Sequence, residues 1–168
     1  NLSPKQFRKA HVPSLIARTL NEYGIQPCHL KVELTEHALM DDTDYTLQML
    51  SELQQLGVQL SVDDFGTGYS SLSYLKRYPI NEIKIDHSFV DGIADDANDR
   101  AIARAIIAMA DVMGMDVVAE GVETQEQREA LLANGCRIAQ GYLFARPMPV
   151  GTVEKYFNKD FQVALSTD

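Results

Sequence analysis

The chain has 168 residues, a net charge of −9, 45% hydrophobic and 23% charged residues, the composition of a soluble globular protein long enough for one domain with a substantial core. Its acidity argues against a nucleic-acid polymer or an anionic membrane surface as partner, since both need basic patches, and leaves a phosphate ester open only if metal cations stand between acid and ligand. No apolar run approaches the roughly 20 residues of a membrane span and no signal peptide opens the chain, so direct membrane insertion is not expected.

In chain order, Ser3 and Pro4 read as the N-cap and first residue of a helix, which leaves Asn1 where a preceding strand would end. Pro13 opens a second helix, with Leu15, Ile16, Thr19, Leu20 and Tyr23 on one face and Gly24 as its stop. Leu30 to Glu36 is a short strand leaving Glu33 and Glu36 near its C-terminal end. A helix over Asp44 to Leu56 carries a stripe at Tyr45, Met49, Leu53 and Leu56, closed by Gly57. The apolar run Val58 to Val62 then drives into Asp63-Asp64-Phe65-Gly66-Thr67-Gly68. Neighbouring strand residues point to opposite faces, so both acids serve one site only if the strand ends there and the backbone turns on Gly66 and Gly68.

Leu72 and Leu75 mark a short helix, and Glu82-Ile83-Lys84-Ile85-Asp86 a strand whose charged side faces either a polar interior or an exposed edge. A longer helix over Asp99 to Met113 sets Ile102, Ile106, Met109 and Met113 toward the core, with Gly114 as its stop. Asp116 to Thr124 repeats the earlier pattern, an apolar strand finishing on carboxylates and glycine, and Thr124 with Gln127 forms a capping box. Cys136 to Ala139 is a last short strand delivering Gln140-Gly141, followed by an irregular connection and a final helix near Thr152 to Phe157. Cys28 and Cys136 lack CxxC spacing and read as buried thiols of a reducing cytoplasm. His11, His29, His37 and His87 share no ligand spacing and read as surface residues.

Strand followed by helix, repeated five times, predicts parallel strands with right-handed crossovers. Every strand closes on polar residues: Glu33, Asp63 with Asp64, Lys84 with Asp86, Glu120, and Gln140. An open doubly wound sheet gathers its site mainly at one switch point, so the pattern fits a (β/α)₈ TIM-like barrel better. Such a barrel needs eight strands and about 250 residues, so the expectation is the C-terminal two-thirds of one, its N-terminal strands absent.

Asn1, Glu33, Asp63, Asp64 and Glu120 would then put four carboxylates and an amide oxygen around one cavity. Crowded acids are untenable without protons or cations, and hard ions such as Mg²⁺ or Mn²⁺ prefer this oxygen set. Two such ions about 3.5–4 Å apart, bridged by one Asp, would activate a water for in-line phosphoryl displacement. Lys84 would orient that water or neutralise developing charge. Asp64-Phe65-Gly66 matches the kinase metal-binding triplet, but no glycine-rich phosphate loop or His-Arg-Asp loop accompanies it. A barrel glycosidase would use two strand-end carboxylates, yet tryptophan platforms are missing. A non-catalytic binding module on the same fold stays open.

Asn1-Leu2-Ser3, Glu33-Leu34-Thr35-Glu36, Asp63 to Leu72, Lys84-Ile85-Asp86, Ala119 to Thr124 and Gln140 to Phe144 resemble, in order, the motifs of EAL domains, bacterial phosphodiesterases that open cyclic di-GMP to linear pGpG. The resemblance runs from residue 1 to about 157, implying an EAL domain over 1–157 and a tail over 158–168. It implies that Asn1, Glu33 and Asp63 hold a first metal, and Asp63, Asp64 and Glu120 a second. Lys84 would hold the attacking water or a phosphate oxygen, and Glu36 would anchor the Asp64 to Leu72 loop. It implies substrate-binding or supporting roles for Asp86, Glu123, Gln140 and Arg146, and inhibition by Ca²⁺. It further implies a homodimer through the Asp64 to Leu72 loop and following helix, sensory or diguanylate cyclase domains in the parent protein, and a cytoplasmic site on a soluble or membrane-tethered parent. The family's naming signature, Glu-Ala-Leu with a nearby arginine, is expected upstream of Asn1 and outside this chain. Without it, the chain itself is expected to bind the first metal poorly, to be weakly active or inactive, and to expose an unpaired sheet edge. The alternative is a catalytically degenerate domain acting as a cyclic di-GMP receptor or interaction module.

Overall fold

The computed structural model describes residues 1–7, 9, 11–40, 43–68 and 72–154. The chain alternates helix and strand: α1 Pro4–Phe7, α2 Val12–Tyr23, a 3₁₀ turn at Pro27–His29, β1 Lys31–Thr35, α3 Glu36–Met40, α4 Thr43–Leu56, β2 Gln59–Phe65, α5 Leu72–Arg77, β3 Glu82–Ile85, α6 His87–Asp91, α7 Ala97–Met113, β4 Asp116–Ala119, α8 Gln125–Ala133 and β5 Ile138–Ala139. Helix resumes over 150–154, so the expected final helix lies partly outside the described residues, as do the 158–168 tail and Tyr69 to Ser71 of the glycine loop.

The strands form one parallel sheet in sequential order β1-β2-β3-β4-β5. No strand order reverses, which distinguishes the sheet from a doubly wound one and fits an arc of a barrel. Period-2 alternation sorts its faces. Leu34, Leu60, Val62, Ile83 and Ile85 are fully buried in one core cluster with Leu50 and Leu53 of α4, Val90 of α6 and Ala103 and Ala110 of α7. Lys31, Glu33, Ser61, Asp63, Glu82 and Lys84 occupy the other face. That face is not a solvated edge, because Ser61, Glu82 and Lys84 are 0%, 4% and 5% exposed.

Several expectations need correction. The strand carrying the acid pair does not stop at Asp63 but continues to Phe65. Leu15 and Tyr23, expected on the packed face of α2, are exposed, and so is Ile102 of α7, whose buried contacts are Ala103, Ile106 and Ala110. Small alanines let a helix sit close to a sheet, so they displace the bulkier side chains toward the flank. Cys28 is exposed and Cys136 buried, both as free thiols. Glu36, expected to end a strand, instead begins the short helix α3, and a further short helix, α6, follows β3.

Candidate functional site

The acid pair reaches one side of the sheet through a β-bulge. Val62 pairs with Ile83 and Phe65 with Ile85, so Asp63 and Asp64 together oppose the single residue Lys84. Asp64 takes φ 54°, the sole non-glycine positive φ among the described residues. Aspartate is one of the few side chains that tolerates this left-handed conformation. The bulge therefore does what a strand end was expected to do, bringing adjacent residues to one site. Gly66, at φ 99°, reverses the chain just beyond. Gly68 is needed for room instead, since a Cβ there would come within 2.7 Å of the Glu36 carboxylate.

Lys84 rises from β3 into the middle of the acids. Its Nζ lies 2.6 Å from Glu120 Oε1, 3.1 Å from Asp63 Oδ1 and 3.3 Å from Glu33 Oε2. Burial alone would push its ammonium down, yet the Glu120 and Asp63 carboxylates hold it well above the ordinary lysine value. Glu120 follows β4, where its N–H still donates to Ile85 O at 3.1 Å. Gln140, placed by its own N–H to Ala119 O, donates from Nε2 to Glu120 Oε1 at 2.5 Å. Burial pushes Glu120 up, with help from Asp63 and Asp64 and against the pull of Lys84. Asp64 is also raised, by burial and then by the charges of Asp63 and Asp86.

One ammonium thus faces three carboxylates, with Asp64 beside them. Ligand atoms of Asp63, Asp64 and Glu120 all fall within 4.8 Å of one another. Asp63 Oδ1 is buried and accepts no aligned hydrogen bond, although Lys84 lies at ion-pair distance. An all-oxygen donor set, with a buried oxygen lacking an aligned hydrogen bond and crowded charges that raise Asp64 and Glu120, fits hard divalent cations.

The other sequence-derived residues surround this centre. Asn1 is exposed; Leu2 bridges to Leu34 and donates to Glu33 O at 2.9 Å, which sets Asn1 beside β1 on the side away from β2. Glu36 heads α3, and its Oε2 accepts the Gly66 N–H at 3.0 Å, tying the glycine loop to β1. Asp86 caps α6, accepting from Ser88 N at 3.0 Å, Ser88 Oγ at 2.5 Å and His87 Nδ1 at 3.2 Å. Its carboxyl is buried, which would raise it, but the Ser88 hydrogen bonds and His87 bring it below the usual aspartate range. Glu123, Gln140 and Arg146 line a neighbouring cavity of 770 Å³. Sequence reasoning missed His87 and Tyr142 in that wall; Arg146 lies over the Tyr142 ring at 4.3 Å. The four histidines are exposed. A Glu-Ala-Leu tripeptide does occur, at Glu129-Ala130-Leu131, but inside α8, where Leu131 is core and Glu129 bonds Gln125. It delivers nothing to the strand ends.

Residues 1–147 match the family model of the EAL domain. The chain is 45% identical to the cyclic di-GMP phosphodiesterase NbdA of Pseudomonas aeruginosa over 93% of its own length and 20% of that protein's. It therefore spans about a fifth of the curated relative. A solved cyclic di-GMP complex of the MucR phosphodiesterase of P. aeruginosa superposes with a TM-score of 0.88 at 45% identity, over 91% of this chain and 62% of that one. A manganese and cyclic di-GMP complex of BlrP1 from Klebsiella pneumoniae gives a TM-score of 0.80 at 34% identity, over 86% of this chain and 37% of that one.

Proposed function

This chain belongs to the EAL domain family, and on that premise we propose that it carries the catalytic acids of a metal-dependent phosphodiesterase that hydrolyses cyclic di-GMP to linear pGpG. Residues 1–157 would be its share of the EAL domain. Relatives named as cyclic di-GMP phosphodiesterases, and neighbours bound to that nucleotide, support the substrate. The observation that carries the reading is the convergence of Asp63, Asp64 and Glu120 around Lys84.

Asp63, Asp64 and Glu120 would hold one divalent ion, and Asn1, Glu33 and Asp63 another. Mg²⁺ or Mn²⁺ held there would supply Lewis acidity and neutralise phosphate charge. The chain's own groups do the rest. Asp63, set on the bulge between Glu33 and Asp64, would present to an entering cation a buried oxygen that accepts no aligned hydrogen bond and is held only by the Lys84 ion pair. Lys84 stays protonated across the neutral range, so it donates hydrogen bonds to a phosphate oxygen or the attacking water and offsets charge developing in the displacement. Glu36 holds Gly66, where the loop leaves β2 two residues beyond Asp64. The 770 Å³ cavity, with Glu123, Gln140 and Arg146 in its wall, would receive a base of the dinucleotide. A homodimer through the Asp64 to Leu72 loop, inhibition by Ca²⁺, a cytoplasmic setting and regulatory partner domains belong to the same proposal. Among the described residues no helix is long and apolar enough to cross a membrane.

The test is a chromatographic assay of the intact protein containing this chain with cyclic di-GMP and Mn²⁺. Conversion to pGpG is expected, absent in chelator. Tight nucleotide binding with no product would establish the receptor alternative instead.

A further inference from the structure

Beneath the acidic centre lies a second polar cluster on the same three strands. Lys31 of β1 pairs with Glu82 Oε2 of β3, and Ser61 Oγ of β2 donates to Glu82 Oε1 at 2.9 Å. Each member sits two residues before a member of the upper cluster on its own strand: Lys31 before Glu33, Ser61 before Asp63, Glu82 before Lys84. Residues two apart share a face and lie about 7 Å apart along a strand. Glu82, 4% exposed, is therefore a buried carboxylate on the same face of β3 as Lys84, two residues before it. Buried carboxylates demand a counter-charge. Lys84 thus stands between the Glu82 carboxylate below and the acids above, and the structure pairs it with the upper ones while Glu82 pairs with Lys31.

We infer that Lys31 is a positioning residue that settles this pairing: by occupying Glu82 it leaves Lys84 to the acids of the upper cluster. The inference rests on the proposed metal-dependent site for its functional consequence, but its structural core does not. Lys84 and a divalent cation would also compete for Asp63 and Glu120, so moving Lys84 downward has a signature of mixed sign. Lys31→Met frees Glu82 to draw Lys84 away; metal binding to the upper acids then tightens while turnover falls. Damage to the fold would weaken both. Lys31→Met combined with Glu82→Leu removes the lower anion as well and returns Lys84 to its upper partners.

The experiment reads Lys84 directly in the metal-free chain by lysine ammonium NMR, its resonance assigned by its loss in Lys84→Met. In the wild-type background Glu120→Gln shifts that resonance. In the Lys31→Met background it does not, and in Lys31→Met with Glu82→Leu the response returns. A Lys84 resonance that still answers to Glu120→Gln in Lys31→Met overturns the inference. Mn²⁺ titration by calorimetry provides the second arm, with a several-fold tighter fit for Lys31→Met expected, and weaker binding than wild type overturning it. Leu131→Ala, a core substitution in α8, controls for lost stability and leaves both readouts at wild-type values. Absence of Mn²⁺ binding in the wild type would sink the metal-site reading while leaving the NMR result to decide the role of Lys31.

Discussion

The two ends of the strands handle charge in opposite ways. At the amino ends, Lys31 and Glu82 neutralise each other and Ser61 fills the remaining acceptor position. At the carboxyl ends, Glu33, Asp63 and Glu120 share one ammonium with Asp64 crowded beside them, and Asp63 Oδ1 is left without an aligned donor. The backbone follows the same division: regular pairing below, a bulge with a left-handed aspartate above. A fold selected for stability alone would balance both ends. The imbalance above is the kind of stored strain and repulsion that persists at functional sites, relieved by what binds there.

The contrast can be broken most severely at Asp63. Asp63→Asn keeps the shape and removes the charge shared by both proposed cation positions, so metal-dependent turnover should fall on the order of a thousandfold with little change in the melting temperature. Survival of turnover would mean the cations are assigned to the wrong residues. The converse substitution lies in the core: Leu53→Ala should cost about 2–5 kcal/mol in urea unfolding, because Leu53 is fully buried, while Mn²⁺ affinity at low temperature stays unchanged.

Glu36→Ala sharpens the comparison by touching only the tether. It strands the Gly66 N–H, costing about 1 kcal/mol, and by loosening the loop that follows Asp64 should slow turnover roughly tenfold. Wild-type rates would show that the loop keeps its place without the tether. The smallest effect is expected at Asp86, where Asp86→Ala removes a helix cap worth about 1 kcal/mol. Its folded pKa is depressed, so the stabilisation is present above the ordinary aspartate range and lost as pH falls through the lowered value. Unfolding curves of variant and wild type should therefore converge in acid. Asp64 and Glu120, whose pKa values are raised, act with the opposite sign: their repulsion is felt at neutral pH and eases as pH falls through the raised values.

Much of this architecture is legible in the sequence. The alternation of period-2 and 3.6-residue patterns gives parallel strand–helix units, and the acid after each strand gives the strand-end residues, because both depend on local order along the chain. The capping box at Thr124 and Gln127 is equally local and is present. What escapes depends on neighbours. Nothing in Val62-Asp63-Asp64-Phe65 says that the pairing with β3 slips by one residue, so the strand was expected to stop two residues early. On α7, Ile106, Met109 and Met113 pack as their spacing predicts, but Ile102 sits at helical spacing too, and only the sheet beneath selects Ala103 and Ala110 in its place. Asp86, two residues before Ser88, caps α6 locally, but a five-residue helix carries too little periodicity to be marked by its sequence. The Gln140 to Glu120 hydrogen bond spans 20 residues and had no signal at all.

The bulge also works as a vernier between two scales. Over the span from Val62 to Phe65, β2 counts one more residue than β3 counts from Ile83 to Ile85. A one-residue slip between these strands would move the aspartate pair out of place against Lys84, and would carry the fully buried Val62 onto the wrong side. The sheet has one alignment in which its apolar and acidic marks coincide, so a correctly closed core is at the same time a correctly assembled set of cation ligands.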